Sequence, residues 1–404
     1  MSIGKLRSEV VVGYREECLL GMMPTFNVEE GKRRLLVTAD CGSTQTRISI
    51  VDLDVGDYES GLTEIFVVPS KYGEIINFVP KDGIKSPLFY DNLQSKISNA
   101  TWSDGDIVNY VMVARTTLME DLGLVPSKMS SAKEKSEEPS LYINLVDAIG
   151  YALMKKYRGQ LHRINEVYLS IALPPEDLSA NNKERLLRNL KKYRWSVNDQ
   201  DDITLQFMNV VFTPEAEAFI QGYYALMDRE LPEVSLHIEG GGRSISPALC
   251  KNGRAMNTAR VSLPYGGNML RKIIADDFYA DEQIHLSERQ LDSVVETGIC
   301  KIGKEESNLV CYVNDAKRKM AKRIVNDLIT KVFEGMDGIR ITDIEEFTAS
   351  GRLFSPGKYE SSLMDFVAEE FKRFAPRAEF SVIDEPYINK GLVLIGLQNL
   401  TEEI

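Results

Sequence analysis

The sequence predicts an α/β protein built as two lobes, and three observations lead there. Runs rich in β-branched residues alternate with helical patterns along most of the chain, as they do in layered α/β architecture. A hairpin whose turn carries glycine opens each half, at Leu35–Asp52 and again at Val234–Cys250. The 404 residues also exceed what one hydrophobic core usually organises.

Composition narrows the function classes. With 43% hydrophobic and 27% charged residues the chain has ordinary globular proportions. Sixty acidic against 48 basic residues give a net charge of −12, which disfavours direct binding to nucleic acid phosphates. Any link to DNA would therefore run through an adaptor. Five widely spaced cysteines (Cys18, Cys41, Cys250, Cys300, Cys311) form no CxxC pair, so neither a zinc site nor a disulfide framework is expected and a reducing cytoplasm fits. The longest apolar runs, such as Gly391–Leu397, are far shorter than the ~18 residues of a membrane span. Acids at Glu9, Glu16, Glu17, Glu29 and Glu30 argue against a targeting peptide.

The elements follow in order. Residues 1–34 read as an N-terminal extension with an edge strand at Val10–Tyr14. Leu35–Asp40 and Thr46–Asp52 form the first hairpin, and Glu64–Val68 adds a third strand. The weaker pattern near 72–106 suggests a small insert, and Ser127–Ser140 an exposed loop. Leu141, Leu145, Ala148, Ile149, Ala152 and Leu153 share one helical face. Glu166–Leu173 is a buried strand ended by Pro174-Pro175, Asn182–Tyr193 a basic amphipathic helix, and Ile203–Phe212 a strand leading through Pro214 into a helix at Glu215–Met227. The second hairpin, Val234–Glu239 with Ser244–Cys250, turns at Asn252-Gly253 into a strand over Met256–Leu263. A helical insert spans about 265–340. Within it Ser287 and Gln290 make a capping box, and Asn308–Phe333 is a long helix whose charges, Lys317 through Arg323, read as a solvated face. Strand Ile344–Ala349, helix Tyr359–Phe374, strand Phe380–Ile383 and a helix around Leu392–Leu400 close the chain.

Four segments carry candidate chemistry. In DCGSTQTR, Gly42 lets backbone approach an anion, and Ser43, Thr44 and Gln45 offer donors to phosphate oxygens. Asp40 at the strand end suits a hydrated Mg²⁺, and Arg47 adds positive charge. A plain polar hairpin turn is the other reading. In HIEGGGRSIS, Gly240, Gly241, Gly242 and Arg243 form a second such turn, and Glu239 holds the position that Asp40 has in the first. His237 shares a strand face with Glu239 and reads as a packed core residue. Glu215 leads its helix, where a carboxylate either orients an attacking water or complements the helix dipole. In FTASGRLFSPG, Ser350 and Gly351, followed by Arg352, leave room for a flat base or ribose, or make an ordinary strand–helix connection.

In joint order these segments resemble the nucleotide-binding motifs of the actin-like ATPase superfamily over about Leu35–Gly396, and most of all plasmid-segregating bacterial actins of the ParM type. DCGSTQTR and HIEGGGRSIS are similar to the two phosphate loops, TPEAEAF and YINKGLVLIG to the two connecting helices, and ASGRLFSPG to the adenosine loop. The resemblance implies duplicated ribonuclease H-like domains with a nucleotide cleft: lobe I of about 1–215 plus 386–404, lobe II of about 216–385. It also implies Mg²⁺-ATP or Mg²⁺-GTP as cofactor, with Asp40 and Glu239 toward the metal and Glu215 and Glu239 as the candidate catalytic acids. The implied function is a nucleoside triphosphatase that polymerises into helical filaments in the cytoplasm and segregates plasmid DNA through a DNA-bound adaptor, with no direct nucleic acid or membrane contact.

The chain departs from that pattern at Glu239, where Asp is usual, at Arg243, Ser244 and Ser246, and at Ser350, where glycine is usual. A sugar or metabolite kinase of the same fold would need a catalytic Asp base, and none stands out; a chaperone would need a further peptide-binding domain. A cytoskeletal or organelle-positioning filament stays open beside the plasmid one.

Overall fold

The computed structural model describes residues 33–42, 45–56, 58–70, 73–75, 94–104, 107–114, 135–190, 192–197, 201–226, 231–256, 261–334, 338–355, 361–384 and 386–402. The expected strand at Val10–Tyr14, Ser43 and Thr44 lie outside them. The chain divides into two compact units, Met1–Arg229 with Tyr387–Ile404, and Glu230–Pro386.

In the first unit β1 (Arg33–Cys41) and β2 (Gln45–Asp52) form the expected hairpin. The short helix α1 (Tyr58–Thr63) leads to β3 (Phe66–Pro69), which pairs antiparallel with β2. Strands β4 (Gly73–Ile75), β5 (Gln94–Asp104) and β6 (Ile107–Ala114) follow, then helix α2 (Pro139–Lys156), β7 (Ile164–Leu173), α3 (Ala180–Asn189), β8 (Lys192–Val197), β9 (Asp201–Pro214) and α4 (Glu215–Leu226). The sheet order is β3-β2-β1-β7-β9-β8-β5-β6-β4. Alternation along β1 sorts its faces: Leu35, Val37, Ala39 and Cys41 enter a core with Ile171 and Leu173 of β7 and Leu145, Ile149 and Leu153 of α2. Trp195 lies against Gly150 so closely that a side chain there would displace the indole, whose Nε1 donates to Asp147 at 2.9 Å.

Two expectations change here. Tyr193 belongs to strand β8 and not to the preceding helix, because Tyr193 and Trp195 alternate into the core from a ladder with β9. Within the insert expected near 72–106, Gln94–Asp104 is described as β5 and joins the sheet through its pairing with β8. Ser136 and Glu138, expected in an exposed loop, are buried: Ser136 is held by Tyr142 Oη on its carbonyl at 2.7 Å.

In the second unit β10 (Val234–Gly240), β11 (Ile245–Lys251) and β12 (Arg254–Ala255) form an antiparallel meander. Its turn at Asn252-Gly253 has φ of +49° and +72°, the left-handed pair a two-residue hairpin requires. Of the strand expected over Met256–Leu263, residues 257–260 lie outside the described residues; Leu263 forms a bridge with Ile245, and β12 precedes the expected range. Helices α5 (Gly267–Glu282) and α6 (Glu288–Thr297), the hairpin of β13 (Ile299–Ile302) and β14 (Glu305–Asn308), and α7 (Val310–Leu328) follow. The Ser287–Gln290 capping box is present. The expected solvated face is broken at Lys317, which is buried and donates from Nζ to the Ser361 carbonyl at 2.7 Å. Strand β15 (Glu346–Ser350), α8 (Leu363–Phe371) and β16 (Glu379–Ile383) complete the sheet β12-β11-β10-β15-β16. Leu236, Ile238, Phe347 and Ala349 meet Val313, Met320 and Ile324 of α7 in its core.

The last helix, α9 (Tyr387–Glu402), packs in the first unit, its Val393 and Leu397 against Leu36 and Val51. Helix α4 crosses it at Gly222 and Gly391, where a Cβ on either glycine would collide with the other helix's backbone. That crossing places α4 with the first unit, although the sequence boundary at 215/216 gives it to the second. The five strands β3-β2-β1-β7-β9 and the five strands β12-β11-β10-β15-β16 have one topology, antiparallel across the first three and parallel thereafter.

Candidate functional site

In each unit the candidate residues gather at the carboxyl ends of the parallel strands, the position where open α/β sheets bind ligands. In the first unit Asp40 of β1 pairs with Ala172 of β7, and Ala172 with Thr213 of β9. This register brings Asp40 and Glu215, the first residue of α4, to one end of the sheet. Asp40 also faces Arg47 across the hairpin ladder, and Arg47 Nη1 donates to Asp40 Oδ2 at 2.8 Å. Asp40 is buried while Arg47 keeps a third of its side chain exposed. The two charges expected to serve metal and phosphate separately thus form an ion pair. The carbonyl of Arg47 accepts from Asn389 Nδ2 of α9 at 3.0 Å, tying the hairpin to that helix.

The first turn is tight and braced. A Cβ on Gly42 would stand 2.7 Å from the Gln45 carbonyl oxygen, so glycine answers a close approach here. Ser70 Oγ donates to the Gly42 carbonyl at 2.7 Å and lies 3.1 Å from Thr46 Oγ1. Gln45 is exposed beside it.

The second turn is organised differently. Gly241 N–H donates to the Ser244 carbonyl at 2.9 Å, so that amide is spent within the loop. The start of α5 buttresses the turn: Gly266, Gly267 and Asn268 donate from their N–H groups to the carbonyls of Arg243, Gly241 and Gly242 at 3.2, 3.1 and 2.8 Å. A side chain at Gly266 would collide with the backbone of Arg243. The sequence reading missed this support, although a Gly-Gly pair ahead of a helix is a visible signal of close backbone approach. Gly240 has no room for a Cβ against Phe354.

Behind that turn lies a buried chain of hydrogen bonds. Ser350 Oγ donates to Glu239 Oε2 and lies 3.0 Å from His237 Nε2, while His237 Nδ1 lies 2.8 Å from Thr348 Oγ1. Ser350 has one hydroxyl hydrogen and gives it to Glu239, so it accepts at His237 Nε2, which carries the ring proton; Nδ1 then accepts from Thr348. Burial lowers the His237 pKa to about 3 against the opposing charge of Glu346, so the ring is neutral. His237 is the core residue the sequence suggested, yet it touches the site through Ser350. Ser350, expected to border a base or ribose, is itself buried. Gly351 has φ +89°, and a Cβ there would stand 2.5 Å from Glu239 Oε1. Arg352 is exposed.

The second turn fits a hydrated Mg²⁺ with phosphate. Glu239 supplies a hard carboxylate oxygen, and Ser246, opposite it in the ladder, has a buried Oγ without a hydrogen-bond partner among the described residues. No group of three or more His, Cys, Asp or Glu side chains is placed to hold a metal among the described residues. Mg²⁺ needs only one or two carboxylates when phosphate oxygens and waters complete its octahedron. Asp40 fits less well, since Arg47 already neutralises it. No helix among the described residues is long and apolar enough to cross a membrane.

No protein-family model and no curated protein matches the sequence. Solved structures do match the fold. Ta0583, an archaeal actin homolog, superposes with a TM-score of 0.60 at 10% identity, covering 92% of this chain and 100% of its own. Its ADP complex gives 0.58 at 9% identity over 92% and 100%. The 15-stranded ParM filament from Clostridium botulinum gives 0.62 at 14% identity over 92% and 99%.

Proposed function

We propose that this chain, which has the actin-like fold of ParM-type proteins, binds Mg²⁺-ATP or Mg²⁺-GTP, polymerises with it and hydrolyses it. The observation that carries the reading is the duplication: each unit has an acid, Asp40 or Glu239, at the last-but-one residue of its first strand, beside a glycine turn, on one shared sheet topology. The likeness to a ParM filament and to an actin homolog holding ADP supports it.

In this reading the turns around Gly42 and Gly241 bind phosphates, with Ser43, Thr44, Gln45, Gly240, Gly242 and Arg243 as further donors. Arg47 balances Asp40 and the phosphate charge. Glu239 and Ser246 would hold the hydrated Mg²⁺, which supplies neutralisation of phosphate charge. Glu215 orients the attacking water, and Arg352 with Gly351 borders the base. The acidic surface suits a filament that meets plasmid DNA through an adaptor, and a head-to-tail contact that does not close generates a helix of subunits.

Electron microscopy and light scattering of the pure protein with Mg²⁺ and either ATP or GTP test this. Filaments that need nucleotide are expected. Bound nucleotide with flat scattering at every protein concentration would favour a kinase of the same fold.

A further inference from the structure

We propose that Ser350 and His237 are positioning residues for Glu239, which sits at the phosphate turn of the second unit, and that Ser350 serves this acid and not the nucleotide directly. The inference rests on the nucleotide-binding reading above and says how its second acid is held.

The geometry is closed around one carboxylate. Glu239 and Ser350 are directly paired in the parallel β10–β15 ladder, so their side chains leave the sheet on the same face. Ser350 Oγ occupies Oε2, and Oε1 rests over Gly351, whose missing side chain makes the space. His237 and Thr348 are paired two residues back along the same ladder, on the same face, and are both buried. The imidazole is bracketed by Thr348 Oγ1 at Nδ1 and Ser350 Oγ at Nε2, and this contact orients the serine hydroxyl toward Glu239. The carboxylate side chain of Glu239 is 12% exposed, against 1% for His237, so the chain runs from the protein interior to the turn. Glutamate reaches one methylene beyond aspartate, and serine is the residue that meets it. Two of the departures from the resembled pattern, Glu239 and Ser350, are therefore one device.

A carboxylate whose orientation is fixed before a ligand arrives meets it at little ordering cost. The part of nucleotide affinity that depends on Mg²⁺ should then fall when the anchor is cut, while affinity measured in EDTA holds. The test is titration of fluorescent ATP and GTP analogues, each with Mg²⁺ and with EDTA, into the full chain and its variants, with circular dichroism to follow the fold. Since hydrogen bonds to charged groups are the stronger kind, S350A should weaken Mg²⁺-dependent binding by about ten-fold. In an E239Q background S350A should add little, because residues in one network are not additive. H237L should follow S350A, and H237Q, which keeps a donor near the Nε2 position, should recover most of the loss. Equal losses with Mg²⁺ and with EDTA in a folded S350A would mark a direct nucleotide contact and overturn the assignment, as would full additivity with E239Q or wild-type affinity in both S350A and H237L. If S350A fails to fold, the H237L and H237Q pair decides alone. Absence of binding by the wild-type chain to either nucleotide overturns both this inference and the reading beneath it; binding by wild type with unaltered variants overturns this inference only.

Discussion

Asp40 is buried and its charge is met by Arg47, so removing Arg47 exposes the fold to an unpaired carboxylate. R47A is expected to lose about 1–3 kcal/mol in urea unfolding, and the D40N/R47A pair less than R47A alone. Nucleotide affinity should fall in R47A together with assembly; unchanged affinity would leave Arg47 a purely structural partner of Asp40. Glu215 and Glu239 separate in kinetics. Groups that orient water contribute about 10²–10⁴-fold to rate and little to ground-state binding. E215A should therefore bind and polymerise but release phosphate slowly, giving long-lived filaments, whereas E239A should also lose Mg²⁺-dependent affinity. Normal phosphate release by E215A would return that residue to helix capping. His237 gives a pH signature. Its folded pKa of about 3 lies below the ordinary 6.5, so the unfolded chain binds the extra proton in that window. Stability falls as pH drops from about 6.5 toward 3, with a slope approaching ~1.4 kcal/mol per pH unit from this group. Urea titrations of wild type and H237Q across that range should differ by this slope.

At the scale of elements, the α4–α9 crossing depends on two hydrogens. Gly222 and Gly391 leave no room for a methyl group against the facing backbone, so the helices must part if either is substituted. G391A should cost about 2–4 kcal/mol, as overpacking against rigid backbone does at the high end, while K322A on the exposed side of α7 should stay within about 0.5 kcal/mol. Helix α7 shows where helical periodicity misleads. A run of alternating charge reads as solvent-facing, but Lys317 is buried and donates its ammonium to the Ser361 carbonyl. Burial lowers the Lys317 pKa to about 8, with Asp365 opposing. Between about 8 and 10.5 the unfolded chain holds a proton that the folded one has lost, so this lysine makes stability rise with pH there. K317M should flatten that rise in unfolding experiments from pH 7 to 11.

At the scale of the molecule, two copies of one five-strand topology place an acid and a glycine turn at equivalent strand ends. Equivalent geometry with unequal chemistry is the interesting part. The first copy pairs its acid with an arginine across the hairpin, and the second ties its acid to a buried serine and histidine. The first therefore carries a balanced charge and the second a carboxylate with one oxygen committed. Filament formation should follow this division: R47A should weaken assembly with either nucleotide, and S350A chiefly where Mg²⁺ is present. Sedimentation of both variants with ATP or GTP, with and without EDTA, reads this out.

The sequence by itself determined the strand–helix alternation, both hairpins and the acids that end their first strands, since period-two burial and glycine turns are local properties of the chain. It also carried the resemblance that joins them, and the α/β, actin-like fold follows. Tertiary structure alone decided what those acids touch. That Arg47 lies opposite Asp40 depends on hairpin register, and that Ser350 and His237 hold Glu239 depends on pairing of β10 with β15, strands more than a hundred residues apart. The two glycines of the helix crossing were equally silent, because a missing side chain is informative only against its neighbour. Local pattern records which face of an element is apolar; partners distant in sequence are set by packing, where one methylene or one hydrogen decides whether two backbones or two polar atoms meet.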